Sequence, residues 1–244
     1  MLRTALGVLI TPIWAIVVVL ATIACGTYVI VLVSFRPLSP QITPIMRFWA
    51  RLVMWAGGCR WIVEGMEHVD PSRSYVVVAN HISNLDPPFH IAALPMSVRF
   101  LAKKELFRIP IFGRAMRSIG IVETDRTART AAHRTINEQV GKIAERGLSL
   151  MIYPEGTRSR NAELRQFKKG AFRIAVDNGM PILPTAVGGT EKAWRPGGVL
   201  LRGGRIRMKI FPPIETAGLG KEDLGSLRDR AHDLVAAGYE ELRG

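Results

Sequence analysis

Two short polar clusters, each directly behind an apolar run, hold the residue types that acid–base chemistry on a hydroxyl would need. The first is Asn80-His81-Ile82-Ser83-Asn84-Leu85-Asp86-Pro87-Pro88, following Tyr75–Ala79. A neutral imidazole takes a hydroxyl proton near pH 7, and a carboxylate bonded to its other ring nitrogen fixes the tautomer and stabilises the imidazolium that forms. On a regular helix, residues five apart point about 140° from one another, so His81 and Asp86 would not meet. Pro87 changes this. It biases Asp86 away from the α region and is suited to the first helical position, so a compact turn running into a helix is predicted. Such a turn can fold the carboxylate back onto the ring. Taken singly, Asp86 also reads as a helix cap and His81 as a core histidine; the whole polar cluster behind an apolar strand is harder to explain by packing.

The second cluster is Tyr153-Pro154-Glu155-Gly156-Thr157-Arg158, behind the β-rich run Ser149–Tyr153. Gly156 permits close approach of backbone to a ligand, Thr157 offers a hydroxyl, and Arg158 presents a planar fork suited to phosphate. A surface turn closed by a Glu–Arg ion pair is the competing reading. A third block, Gly120-Ile121-Val122-Glu123-Thr124-Asp125-Arg126, also ends in a cation. Arg126 is either a second phosphate ligand or a partner for Asp125.

The elements that must position these clusters are legible from periodicity. Strands are predicted at Trp61–Met66, Tyr75–Ala79, Val98–Ala102, Ile119–Glu123, Ser149–Tyr153, Ile182–Val187 and Ile206–Phe211. Between them, Ala132, Ile136, Val140 and Ile143 recur at helical spacing across Thr130–Arg146 before Gly147, and Lys221–Leu242 reads as a closing helix. This alternation predicts an α/β fold with a mixed, mostly buried sheet flanked by helices. Ligands gather beyond the carboxyl ends of strands in such folds, which is where both clusters fall.

No charged residue and no histidine lies between Arg3 and Arg36, a stretch long enough to cross or deeply enter a bilayer. The run continues well past Ala24-Cys25, which argues against a cleaved signal peptide. Pro12 and Gly26 interrupt it, so one tilted spanning helix and a broken single-leaflet segment both remain open. After Pro37 to Pro44, the apolar segment Ile45–Trp55 carries Arg47 and Arg51 one turn apart, an interfacial helix with its arginines toward headgroups. Residues 1–60 are therefore expected to form a two-helix membrane anchor and residues 61–244 one catalytic domain. Arg36, Arg47, Arg51 and Arg60 outnumber Arg3, which places that domain on the cytoplasmic face of the cell membrane. The 33 Lys and Arg against 20 Asp and Glu give a net charge of +13, which suits anionic headgroups or nucleic acid. The two cysteines, Cys25 and Cys59, offer neither a disulfide framework nor metal-ligand spacing.

His81 and Asp86 match the HxxxxD motif, and Glu155, Gly156, Thr157 and Arg158 the EGTR motif, of the glycerolipid acyltransferases typified by 1-acylglycerol-3-phosphate acyltransferase. The chain also resembles that family at Lys103-Lys104-Glu105-Leu106, Pro110-Ile111-Phe112-Gly113, Gly120–Arg126 and Pro181-Ile182-Leu183-Pro184, in family order. The resemblance implies direct transfer of an acyl group from acyl-CoA or acyl carrier protein to a lysophospholipid hydroxyl. His81 and Asp86 would be catalytic. Arg126, Lys103 and the EGTR residues would bind substrate, and neither metal nor cofactor nor nucleic acid would be needed. Thr124 departs from the family, which often has Ile or Val there. Backbone amides of the turn after His81 are candidates for the oxyanion. The sequence has no Gly-x-Ser-x-Gly elbow to support a covalent route. Against this stand a metallohydrolase using His81, Asp86 and His90, whose spacing fits no strong zinc pattern, and a non-catalytic basic module, which leaves the His–Asp turn unexplained.

Overall fold

The computed structural model describes residues 2–37, 39–124, 131–159 and 161–243. Seven strands form one sheet: β1 (Cys59–Glu64), β2 (Val76–Ala79), β3 (Val98–Lys103), β4 (Val122–Thr124), β5 (Ser149–Ile152), β6 (Ile182–Gly188) and β7 (Gly204–Ile210). Their order is β1-β7-β6-β2-β5-β3-β4. Neighbours pair in parallel except β6 and β7, so β1 and β7 run against the other five. All seven predicted strands are present. The third block is shifted: Ile119–Ile121 lie outside β4, because Gly120 takes a positive φ of 84° that ends the preceding helix.

The helices are α1 (Leu2–Phe35), α2 (Ile42–Ala56), α3 (Asp86–Ala93), α4 (Phe112–Ser118), α5 (Ala131–Glu145), α6 (Gly170–Asp177), α7 (Thr190–Ala193) and α8 (Leu224–Arg243). β2, β5 and β6 are buried along their whole length, as strands covered on both faces must be. One core layer joins Val77, Met151 and Leu183 to Phe89 of α3 and Met54 of α2. The opposite layer joins Val76, Leu150 and Ile182 to Phe172 of α6 and Val235 of α8. The odd and even positions of one strand thus feed different layers, which is the period-2 rule at work.

α1 is a single helix despite Pro12, about 50 Å long at 1.5 Å per residue. It lies against the rest of the molecule for much of that length. The Leu201 amide donates to the Thr11 hydroxyl (2.9 Å), Trp14 donates to the Val53 carbonyl (2.9 Å) and stacks edge-on against Trp194, and Trp49 donates to Thr22 (3.0 Å). Further along, a Cβ on Gly26 would stand 3.0 Å from Ile111 Cγ2. Ile111 itself sits in a γ-turn with φ 62° and ψ −57°, closed by the Phe112 amide on the Pro110 carbonyl (2.6 Å). That is a strained conformation for a β-branched residue. Gly113 completes this block because any Cβ there would meet the Phe107 carbonyl at 2.2 Å. The other face of α1 is exposed and apolar, including Leu9, Ile13, Ile16, Leu20 and Val31. By length and composition the helix suffices to cross a membrane.

One expectation for α2 is overturned. Arg47 does not reach outward for headgroups; its guanidinium donates to the carbonyls of Leu94 (3.0 Å), Pro95 and Met96 (3.2 Å). These are the open acceptors just past the carboxyl end of α3, and a cation satisfies them at the negative end of the helix dipole. Arg51 remains exposed.

Candidate active site

β2 ends at Ala79, and Asn80 locks the next step in place. Its amide donates to the Val187 carbonyl and accepts from the Val187 amide of β6, both at 2.8 Å. The chain then makes the predicted turn, and the imidazole meets the carboxylate: His81 Nδ1 donates to Asp86 Oδ2 at 2.8 Å. Since a carboxylate only accepts, the neutral ring carries its proton on Nδ1 and its lone pair on Nε2. Asp86 is fully buried. Its Oδ2 also accepts the amides of Ile82 and Ser83, each at 2.8 Å, and its Oδ1 accepts the Thr190 hydroxyl at 2.6 Å from the start of α7. Thus Asp86 closes the turn that precedes it instead of capping α3.

That closure narrows the expectation about the oxyanion. The Ile82 and Ser83 amides are consumed by the carboxylate, and the Leu85 amide donates to Ser83 Oγ (3.3 Å). The Ile82, Ser83 and Leu85 amides therefore serve the turn's own geometry, which leaves the Asn84 amide as the turn's candidate for a reacting oxygen.

The second cluster supports the first. Glu155, 3% exposed, accepts the His81 backbone amide on Oε1 (2.6 Å) and the Arg165 amide on Oε2 (3.1 Å). The Ser159 amide donates to the His81 carbonyl (2.9 Å), so both backbone groups of His81 are held by the EGTR loop. No Glu155–Arg158 ion pair forms among the described residues; Arg158 donates through Nη1 to Asn84 Oδ1, while its Nε is buried without a partner. Burial pushes the Glu155 carboxyl up to about 7, against the lowering effect of its two amide bonds.

A raised carboxyl has a signed consequence. The folded state then binds a proton that the unfolded chain releases above its ordinary value near 4.5, so Glu155 makes stability fall as pH rises from about 4.5 to about 7. Glu155→Gln removes that dependence, and also one of the two acceptors. Thermal melts of both proteins across this window are expected to converge with rising pH; parallel curves would show that Glu155 is ionised throughout.

Sequence reasoning missed three residues here. Tyr153 stacks on His81 with ring centroids 4.1 Å apart and planes 16° from parallel. Its hydroxyl lies 3.2 Å from Nδ1 of His90, which is fully buried and also bonds the Asp86 carbonyl (2.8 Å). Burial holds the His90 imidazole down at about 4, so it stays neutral. Its Nδ1 faces α3's own backbone, so His90 does not converge with His81 and the Asp86 carboxylate on a common point. Its place as the one aromatic closing the apolar run before Pro154 was the available signal for Tyr153. Thr190, 104 residues from Asp86, gave none. Lys168, the third, sits in a run of cations that reads as a solvated face. Tyr153→Phe is expected to keep turnover within about threefold, because the stack survives. Tyr153→Leu is expected to lower kcat about tenfold with little change in KM, since aromatic pairs contribute about 0.5–1.5 kcal/mol and a loosened ring loses its aim.

His81 and Arg158 open onto one cavity of about 1110 Å³. One part is apolar and lies under α1 and α2, with Val18, Cys25, Val29, Met46 and Trp49 on its wall. Toward the strand ends it becomes basic, with Lys103, Arg158 and Lys168 alongside Gly156 and Thr157. Thr124 also lines it and donates to the Ala102 carbonyl (3.2 Å). Arg126 lies outside the described residues.

A His–Asp pair whose imidazole opens onto a large cavity with apolar walls and a basic group of side chains, on a mixed α/β sheet, defines an enzyme acting on an amphiphile. A sequence profile of the Acyltransferase family matches residues 60–188, and the chain belongs to that family. It is 34% identical over 183 residues to the 1-acyl-sn-glycerol-3-phosphate acyltransferase of Limnanthes douglasii, covering 75% of this chain and 64% of that one. The yeast (Saccharomyces cerevisiae) protein of the same name is 31% identical over 237 residues, covering 93% of this chain and 77% of that one. The crystal structure of the 1-acyl-sn-glycerophosphate (LPA) acyltransferase PlsC from Thermotoga maritima superposes with a TM-score of 0.85 at 27% identity, covering 98% of this chain and 97% of that chain. The chain thus spans about two thirds of the plant relative's length and nearly all of the bacterial one's.

Proposed function

We propose that this protein transfers a fatty acyl group from a thioester to the free hydroxyl of 1-acylglycerol-3-phosphate, giving phosphatidic acid for phospholipid synthesis. The observation that carries the reading is His81, backed by Asp86, on the wall of one cavity that is lined by apolar side chains of α1 and α2 and by Lys103, Arg158 and Lys168. An acyl chain suits the first part and a phosphate the second. The relatives' names support the acceptor.

In the proposed reaction the acceptor hydroxyl gives its proton to His81 Nε2 as its oxygen attacks the thioester carbonyl. Asp86 stabilises the imidazolium through Nδ1. The tetrahedral adduct collapses, the carbon–sulfur bond breaks, and the departing thiolate takes the proton from Nε2. Glu155 and Tyr153 hold the ring, and Arg158 with Lys103 holds the acceptor. The donor is acyl-CoA or acyl carrier protein, and no metal or cofactor enters.

The N-terminal region is read as the membrane anchor. Contacts from Thr11 to Gly26 tie α1 to the catalytic domain over about 22 Å of helix. A helix flanked that far by a polar domain cannot be ringed by lipid, which supports insertion into one leaflet with the exposed apolar face downward. Exposed Phe48 and Trp55 of α2 continue that surface, and the catalytic domain then rests on the cytoplasmic face.

The test is purified protein with a panel of lysophospholipids, glycerol-3-phosphate and acyl thioesters, products resolved by mass spectrometry. Net hydrolysis with no acylated lipid would sink the reading. The apolar wall adds a prediction: Cys25→Trp should shift the preferred acyl chain to a shorter one. Each buried methylene contributes about 0.8 kcal/mol, so every carbon excluded costs about fourfold in kcat/KM, measured over a series of acyl-CoAs.

A further inference from the structure

Lys168 lies ten residues beyond Arg158, in the stretch Phe167-Lys168-Lys169-Gly170 that leads into α6, and the function above leaves it without a role. The Lys168 amide donates to the Pro154 carbonyl (2.9 Å), anchoring its backbone to the EGTR loop. Its side chain then lies across Gly156: a Cβ built there would stand 2.8 Å from Nζ, 3.1 Å from Cε and 3.3 Å from Cδ. Gly156 also has φ 75°, a conformation that side chains resist. The glycine of the second cluster is thus required by the turn, and the Lys168 ammonium lies over the space its missing side chain leaves.

We propose that Lys168 is a further ligand of the acceptor's phosphate, closing with Arg158 a two-cation cradle over Gly156 and Thr157. Three observations meet at this point. Lys168, Gly156, Thr157 and Arg158 line the same cavity as His81. Among the described residues no acidic side chain pairs with Lys168 or Arg158, and the Arg158 Nε–H is buried with its bond unmade. A buried guanidinium donor left open next to an ammonium is costly unless an anion completes it. Asn84, carried by the His81 turn, holds Arg158 through Nη1, so the fork stays in register with the base. The open space before Gly170, the first residue of α6, leaves room for the phosphate, and the first turn of α6 carries no acidic residue to oppose it.

The two cations differ in what they supply. Arg158 fixes direction by its planar fork, while Lys168 adds a mobile point charge on the other side of the glycine. Loss of Lys168 should therefore weaken capture of the acceptor more than the chemical step.

This proposal rests on the acyltransferase reading, and the phosphate it concerns has two possible sources, the acceptor and coenzyme A. The experiment compares wild type, Lys168→Met and Lys168→Arg, each checked for folding by thermal melting. Acceptors are 1-acylglycerol-3-phosphate and the matching monoacylglycerol; donors are acyl-CoA and a phosphate-free S-acyl-N-acetylcysteamine. Lys168→Met is expected to raise KM for the phosphorylated acceptor about 10- to 100-fold with kcat within a few-fold, equally with both donors. Lys168→Arg should recover most of that loss. A loss confined to acyl-CoA assigns the lysine to the donor and overturns the proposal, as does an equal fall for phosphorylated and unphosphorylated acceptors. Calorimetric binding of 1-acylglycerol-3-phosphate to wild type and Lys168→Met separates the two readings. Wild-type binding without turnover defeats the enzymatic reading alone, and equal binding by both proteins defeats the cradle.

Discussion

His81→Ala is expected to lower kcat by about 10²- to 10⁴-fold while leaving a folded protein, because a positioned acid–base group contributes on that scale and no second base is in place among the described residues. The geometry makes the separation of chemistry from folding credible. Removing the imidazole takes away one of the four donors that Asp86 accepts, and the Ile82 and Ser83 amides and the Thr190 hydroxyl remain. The turn is thus still closed around a carboxylate. The backbone amide and carbonyl of residue 81 keep Glu155 and Ser159 as partners whatever the side chain. The nearby imidazole cannot substitute, since His90 is buried, neutral and turned to α3's backbone. Single-turnover rates with 1-acylglycerol-3-phosphate and acyl-CoA, set beside circular dichroism, check the claim. Near-normal turnover by a folded His81→Ala protein would remove His81 from the mechanism and leave its motif a structural turn.

The parts of this arrangement differ in how visible they were before the structure. The strands were legible because their apolar, β-branched runs sit between glycine, proline and polar turns; Val76-Val77-Val78-Ala79 is the clearest case. The meeting of His81 and Asp86 was legible as a compact turn running into a helix at Pro87, although Asp86 is itself the first residue of that helix and not held out of it. Strand order was not. β1 and β7 are 140 residues apart yet pair in register from Cys59 with Gly204 to Glu64 with Lys209, and no local pattern encodes that. A separation of 104 residues likewise hid Thr190 from Asp86. Arg47 misled because a basic residue on an apolar helix looks the same whether it meets headgroups or the carbonyls of a neighbouring helix end. Lys168 was hidden by composition: with 33 Lys and Arg in the chain, one more cation in a basic run carries little information until Gly156 is seen beneath it. The leader's apolar length was plain, but whether it crosses or lies along the domain depends on Thr11, Trp14 and Gly26 finding their partners, which only the fold supplies.

Asp86→Asn should be the most discriminating substitution, because it keeps shape while removing charge. Oδ2 accepts three donors and Oδ1 one, so an amide has one workable orientation: its oxygen toward His81, Ile82 and Ser83, and its NH2 toward Thr190. The Thr190 hydroxyl can turn and accept, which keeps that contact but leaves its own proton and the second amide N–H without this acceptor. The fold should survive with a loss of about 1–3 kcal/mol, since bonds to a charged acceptor become bonds to a neutral one. Catalysis should not. When His81 takes the acceptor's proton, an imidazolium forms beside a neutral amide, without a carboxylate at 2.8 Å to stabilise it. A charge pair about 4 Å apart is worth about 4 kcal/mol at an effective dielectric near 20, so a fall in kcat of about 10³-fold is expected with acceptor KM little changed. Asp86→Ala provides the contrast. It leaves the Ile82 and Ser83 amides without an acceptor in a buried turn, each worth about 1–3 kcal/mol, and should lower the melting temperature well beyond Asp86→Asn. Equal stability losses in the two variants, with turnover tracking stability, would mean that Asp86 serves the fold alone and that the base works without a carboxylate behind it.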